Sequence, residues 1–122
     1  MATIDLSFTD LKKELKKEYS IEEFEELLFN FGLEVDGYNK ETDEIKIEVT
    51  AERVDLLSKV GLVRALKVYT GVEKERNYSV KKGNYVLNIE DSVKDYRPHS
   101  VCAVVKNLKL DYEKLKEIIA AQ

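Results

Sequence analysis

The stretch from Ser20 to Gly32 marks both ends of one α-helix, and the rest of the chain has to be built around it. Ser20-Ile21-Glu22-Glu23 reads as a capping box. The serine oxygen can accept from the Glu23 amide while the Glu23 carboxylate returns to the serine amide. Tyr19 before the cap and Phe24 after it are placed for a hydrophobic staple. Phe24, Leu27, Leu28 and Phe31 form an apolar stripe at helical spacing, and Gly32 supplies a left-handed stop. The carboxylates Glu22, Glu23, Glu25 and Glu26 suit the positive end of the helix dipole.

On its N-terminal side, Phe8, Leu11, Leu15 and Tyr19 recur at spacings of three and four after Ser7, which predicts a first helix. Lys12, Lys13, Lys16 and Lys17 on its other side read as a solvated face. On the C-terminal side the period changes to two. Leu33 and Val35 predict one short strand, and Ile45, Ile47 and Val49 another, joined through Gly37 to Asp43 as a β-hairpin. Helical spacing returns over Asp55 to Thr70 through Leu56, Val60, Val63, Leu66 and Tyr69, with Gly71 closing the segment. A glycine inside a helix costs about 1 kcal/mol relative to alanine, so Gly61 calls for close packing against a neighbouring backbone.

Beyond Val72 the pattern loosens. Glu73 to Asn77 is a polar connector, which puts a domain boundary near 72–78. Lys81-Lys82-Gly83-Asn84 is a turn before Tyr85, Leu87 and Ile89. Arg97-Pro98 favours an extended entry, Val101 to Val105 reads as a buried strand containing Cys102, and Asp111 caps a last helix reaching Gln122 with Leu115, Ile118 and Ile119 on one face. The fold class is therefore α+β. A small helix-helix-hairpin-helix domain, winged-helix-like, occupies 1–75. A connector and the opening strands and helix of a second α+β domain occupy 76–122. A last helix with no stop signal leads to the expectation of a truncated chain, or of one whose natural continuation is missing.

Composition excludes more than it assigns. Of 122 residues, 43% are hydrophobic and 36% charged, a balance of a folded domain, and no apolar run approaches the ~20 residues that span a bilayer. Met1-Ala2-Thr3-Ile4-Asp5 is no secretory signal, so a cytoplasmic location is the default. Residues 1–70 hold 10 basic and 16 acidic side chains and the remainder 10 and 8, so neither part shows the basic face by which a domain grips RNA alone. One cysteine and one histidine, His99, are too few for a zinc site, and the five glycines are too scattered for a phosphate-cradling loop. No catalytic pair, metal site or cofactor site is expected.

Two residues at the junction of the second hairpin strand and the next helix ask for explanation. Asp55 can cap the helix, and Arg53 can bond exposed carbonyls or a carboxylate across the hairpin. Arg64, embedded in an apolar helical stretch, is a further candidate for the same network. The alternative for Arg53 is direct ligand contact.

Glu22 to Asp36, Glu48 to Leu57, Gly61 to Leu66 and Tyr96-Arg97-Pro98-His99-Ser100-Val101-Cys102-Ala103-Val104-Val105-Lys106-Asn107-Leu108 occur in an order and spacing that resembles the start of the archaeal/eukaryotic phenylalanyl-tRNA synthetase beta subunit. Proline is common in that family where Thr50 or Ala51 stands here. The resemblance covers nearly the whole chain, least distinctively at 38–44 and 72–90. It implies a ligase that charges tRNA with phenylalanine using ATP and magnesium, in a heterotetramer whose class II active site belongs to the alpha subunit. This segment would then be noncatalytic and bind no cofactor itself. Its partners would be the alpha subunit, the remainder of the beta subunit and tRNA. Residues 79–122 would open an editing-type region whose pocket motifs lie beyond Gln122. Arg53, Asp55, Arg64 and Arg97 are the candidate structural or tRNA-contact residues. The other readings are a free-standing winged-helix-like protein or RNA interaction module, and a hydrolase of mischarged tRNA.

Overall fold

The computed structural model describes residues 2–120. In chain order it contains strand β1 (Ala2–Ser7), helices α1 (Phe8–Leu15) and α2 (Ile21–Phe31), strands β2 (Glu34–Asn39) and β3 (Glu44–Val49), helix α3 (Lys59–Tyr69) and helix α4 (Tyr112–Ala120). Short 3-10 turns lie at Val54–Leu56 and Asp91–Val93. The strands form one antiparallel sheet in the order β1-β3-β2.

The central helix forms for the reasons its residues announce. Ser20 Oγ accepts from the Glu23 N–H at 3.2 Å, and Glu23 Oε2 accepts from the Ser20 N–H at 2.8 Å. The Tyr19 ring meets the Phe24 ring edge-on at 5.7 Å. Gly32 takes φ +96°, a left-handed conformation that carries no steric cost without a Cβ. The first helix starts after Ser7, whose Oγ accepts from the Asp10 N–H, but stops at Leu15, four residues short of the predicted Tyr19, where Lys16 turns left-handed.

Ile45, Ile47 and Val49 point inward from β3 and are fully buried with Leu11, Phe24, Leu28, Leu56, Leu62 and Leu66. Phe8, Leu15, Leu33 and Val63 complete this cluster, and no polar or charged residue is buried among the described residues. Strand β1 carries no sequence forecast. It pairs residue by residue with β3, from Ala2 opposite Val49 to Ser7 opposite Glu44, so its partner is distant in sequence and six residues carry too short an alternation to announce it.

Three expectations need correction. The helix predicted over Asp55–Thr70 is a 3-10 turn, a break at Leu57–Ser58 and then α3, capped by Ser58 Oγ, which accepts from the Gly61 N–H at 3.2 Å. Asp55 is thus not the cap. The break resets the helical phase, so Leu62 is buried and Val60 faces outward. Val101 to Val105 is not a buried strand. It is exposed chain without helix or strand, with Cys102 exposed, as is Tyr85 to Ile89. Strand-forming side chains need a neighbouring strand, and neither segment lies on the β1-β3-β2 sheet. Asp111 does cap α4, its Oδ1 accepting from the Lys114 N–H at 2.9 Å. The predicted end of that helix at Ala121 and Gln122 lies outside the described residues.

Candidate interaction site around Arg53

After β3 the chain turns sharply, with the Arg53 N–H donating to the Thr50 carbonyl at 3.0 Å and the Leu56 N–H to the Arg53 carbonyl at 2.9 Å. This turn folds Arg53 onto Asp55. Nε donates to Oδ1 and Nη2 to Oδ2, both at 3.0 Å, the parallel fork that matches a guanidinium to a carboxylate. The same guanidinium lies 5.6 Å from the centre of the Phe31 ring. Phe31 in turn meets Tyr69 edge-on at 5.2 Å, and the Tyr69 hydroxyl donates to the Asn30 carbonyl at 3.1 Å. A cation, two rings and a hydroxyl therefore join the last turn of α2 to the last turn of α3. The hydrogen bonds from Arg53 hold the Asp55 carboxyl below the ordinary aspartate range, and Asp55 raises the Arg53 guanidinium correspondingly.

Gly61 explains how the turn sits on α3. A Cβ built there would stand 1.8 Å from the Asp55 carbonyl oxygen, so the backbone carrying Asp55 rests directly on the helix. Close approach of backbone is the reason for the mid-helix glycine.

Arg64 does not bond to Arg53 or Asp55. Its charge contributes a smaller part of the depression at Asp55, while Nη1 donates to the Tyr78 hydroxyl at 3.4 Å. Around it, a surface cavity of about 290 Å³ is crossed by ion pairs, Lys67 to Glu73 at 3.1 Å and Lys59 to Glu117 at 2.5 Å. The Lys67 hydrogen bond lowers Glu73, and the Glu117 hydrogen bond raises Lys59. Cations here face carboxylates, so the cavity is not a positive groove of the kind a polyanion selects. Arg97 stands apart and exposed after the Asp91–Val93 turn, with its N–H donating to the Val93 carbonyl at 2.8 Å. The structure brings Arg53 and Asp55 together, sets Arg64 beside them, and leaves Arg97 elsewhere.

Asp43 has no counterpart in the sequence reading beyond its place in the hairpin loop. Its Oδ2 accepts from Ser7 Oγ at 2.6 Å and from the Thr9 N–H at 3.1 Å, its Oδ1 from Thr9 Oγ1 at 3.0 Å, and its carbonyl from the Phe8 N–H at 2.9 Å. It is a second cap on α1, supplied from the hairpin. The Ser7 hydroxyl, then the Thr9 donors and Lys12, hold its carboxyl below the usual range. No local signal could have found it, because the donors lie 34 to 36 residues away.

Among the described residues no three His, Cys, Asp or Glu side chains converge to hold a metal ion, and the glycines are dispersed, Gly37 within β2 and Gly61 within α3. No helix among the described residues is long and apolar enough to cross a membrane.

Comparison with known proteins places these features. The family profile described as Phe-tRNA synthetase beta subunit B1 domain matches residues 1–72. The chain is 33% identical to the phenylalanine–tRNA ligase beta subunit of Pyrococcus horikoshii, over all of this chain and 23% of that protein. It is 32% identical to the beta subunit of Saccharomyces cerevisiae, over all of this chain and 22% of that one. The chain thus spans less than a quarter of the length of these relatives. Among solved structures, the crystal structure of an N-terminal fragment of the phenylalanyl-tRNA synthetase beta-subunit from Pyrococcus horikoshii superposes with a TM-score of 0.78 at 34% identity, covering 99% of this chain and 36% of that one.

Proposed function

The chain belongs to the phenylalanyl-tRNA synthetase beta-subunit family, and from that premise we propose that it is a noncatalytic assembly element of a phenylalanine–tRNA ligase. In the whole enzyme, ATP and magnesium would be used at an alpha-subunit centre to charge tRNA with phenylalanine. Residues 1–75 are the folded unit of this reading, and 76–122 the connector and first part of an editing-type domain. Its partners are the alpha subunit, the rest of the beta subunit and tRNA, and its setting is the cytoplasm.

The observation that carries this reading is the contrast between the two parts. The fully buried residues of the cluster lie between Phe8 and Leu66, with Ile4 and Leu6 of β1 packed against them, whereas Val86 and Val101 are 81% and 99% exposed in strand-like sequence. Such side chains gain stability only by burial against other chain, which the longer relatives possess. The Arg53 clasp is structural in this account. It orders the turn between β3 and α3, and its guanidinium is already occupied by Asp55 and Phe31.

The test is to assay the purified chain for phenylalanylation and for deacylation of tyrosyl-tRNA, and to assay a whole beta subunit lacking residues 1–72 for assembly with alpha by sedimentation. The expected result is no turnover above buffer for the chain and impaired assembly for the deletion. Turnover by the isolated chain would refute the noncatalytic role, and full assembly without residues 1–72 would refute the assembly role.

A further inference from the structure

Between the outer side of α2 and the start of β2 lies a shallow depression of about 480 Å³, lined by four carboxylates and by the apolar Phe29, Leu33 and Val35. Glu22, Glu25, Glu26 and Glu34 line it together with Phe29, which is 72% exposed in the middle of a helix whose other aromatic rings pack inward. The helix dipole accounts for Glu22 and Glu23 in the first turn, and Glu23 is also engaged in the capping box. Glu25 and Glu26, which the sequence reading also gave to the dipole, lie beyond that turn, where the effect fades.

The carboxylates also stand where they repel one another. Glu22 and Glu26 are four apart on one helix, a spacing at which like charges destabilise. Glu34 on β2 lies directly opposite Glu48 on β3, where like charges again destabilise the pair. Among the described residues none of these groups has an ion-pair partner. Next to them β2 is an edge strand, hydrogen-bonded only to β3.

We propose that this face docks a basic, extended segment of a protein partner. The segment's backbone adds to the free edge of β2, its lysines or arginines come between the α2 carboxylates and Glu34, and an apolar side chain covers Phe29. Each feature matches one component of strand-addition recognition: main-chain pairing, charge complementarity and an aromatic anchor. Nucleic acid is repelled by the same carboxylates. The proposal stands on these residues and is independent of the assembly reading above.

The probe is a short synthetic peptide in which lysine alternates with valine and threonine, titrated into the full chain and followed by fluorescence anisotropy. Two control peptides carry glutamate for lysine, or proline at alternate positions. The lysine peptide alone is expected to bind and to slow hydrogen exchange of β2 amides. Phe29→Ser and Glu25→Lys are each expected to weaken it about tenfold while leaving the far-ultraviolet circular dichroism unchanged. Glu34→Lys is expected to weaken binding similarly and yet raise the unfolding midpoint of the free chain, since it removes the repulsion with Glu48. Equal binding of the proline peptide, unchanged affinity in Phe29→Ser, binding of single-stranded RNA at the same face, or self-association through it would each overturn the proposal.

Discussion

At the level of single residues, the most consequential position is one that carries no side chain. Gly61 lets the Asp55 carbonyl rest on α3, and a Cβ would stand 1.8 Å from that oxygen. Gly61→Ala should therefore cost about 2–3 kcal/mol, because backbone on both sides has to separate, despite alanine's better helix propensity. Urea unfolding of the variant measures this, and a gain in stability would show that the contact is easily relieved. Asp43 is the second such residue. Its pKa is depressed in the folded chain, so its contribution is fully present above the ordinary aspartate value and is lost as pH falls through the lower folded value. Asp43→Asn retains the side-chain shape at a positive φ but not the charge, and should cost about 1 kcal/mol at neutral pH. Its stability should also vary less than the wild type's with pH below the ordinary aspartate range, as thermal melts across that range would register. The need at Gly61 was legible, since a glycine within a helical run requires compensation. The role of Asp43 was not, because its partners are brought to it by the pairing of β1 with β3.

At the level of elements, what is encoded locally is read reliably. The Ser20–Glu23 capping box, the Tyr19–Phe24 staple and the Gly32 stop all involve residues a few positions apart, and all are present. Ser20→Ala should cost about 1 kcal/mol through loss of the cap, measured as a lower denaturant midpoint with an unchanged slope. The misread elements share a cause. The third helix begins at Lys59, capped by Ser58, rather than at Asp55 because the turn carrying Arg53 and Asp55 is drawn tight by contacts to α2 and α3. Tyr85 to Ile89 and Val101 to Val105 have strand-like alternation or apolarity without a strand beside them. Propensity describes what a segment can pair as, and pairing needs a partner.

At the level of the whole molecule, the core between Phe8 and Leu66, with Ile4 and Leu6 packed against it, predicts that the first 72 residues fold without the later tract. A chain ending at residue 72 should unfold cooperatively with nearly the midpoint of the full chain, and trypsin should cut first at Lys81 or Lys82, in exposed chain without helix or strand. A truncated chain that fails to fold would show that α4 and the Lys59–Glu117 pair are required. The amino-acid sequence by itself determined the three helices and the β2–β3 hairpin between Phe8 and Tyr69 and, through ordered motifs, the family. Each depends on residues near one another along the chain. Only the tertiary structure decided that β1 completes the sheet, that Asp43 caps α1, that Arg53 lies between Asp55 and Phe31, and that Phe29 stands exposed among carboxylates. Those outcomes depend on contacts between residues far apart in the chain, whose geometry is set when α2, α3 and the sheet close on one core.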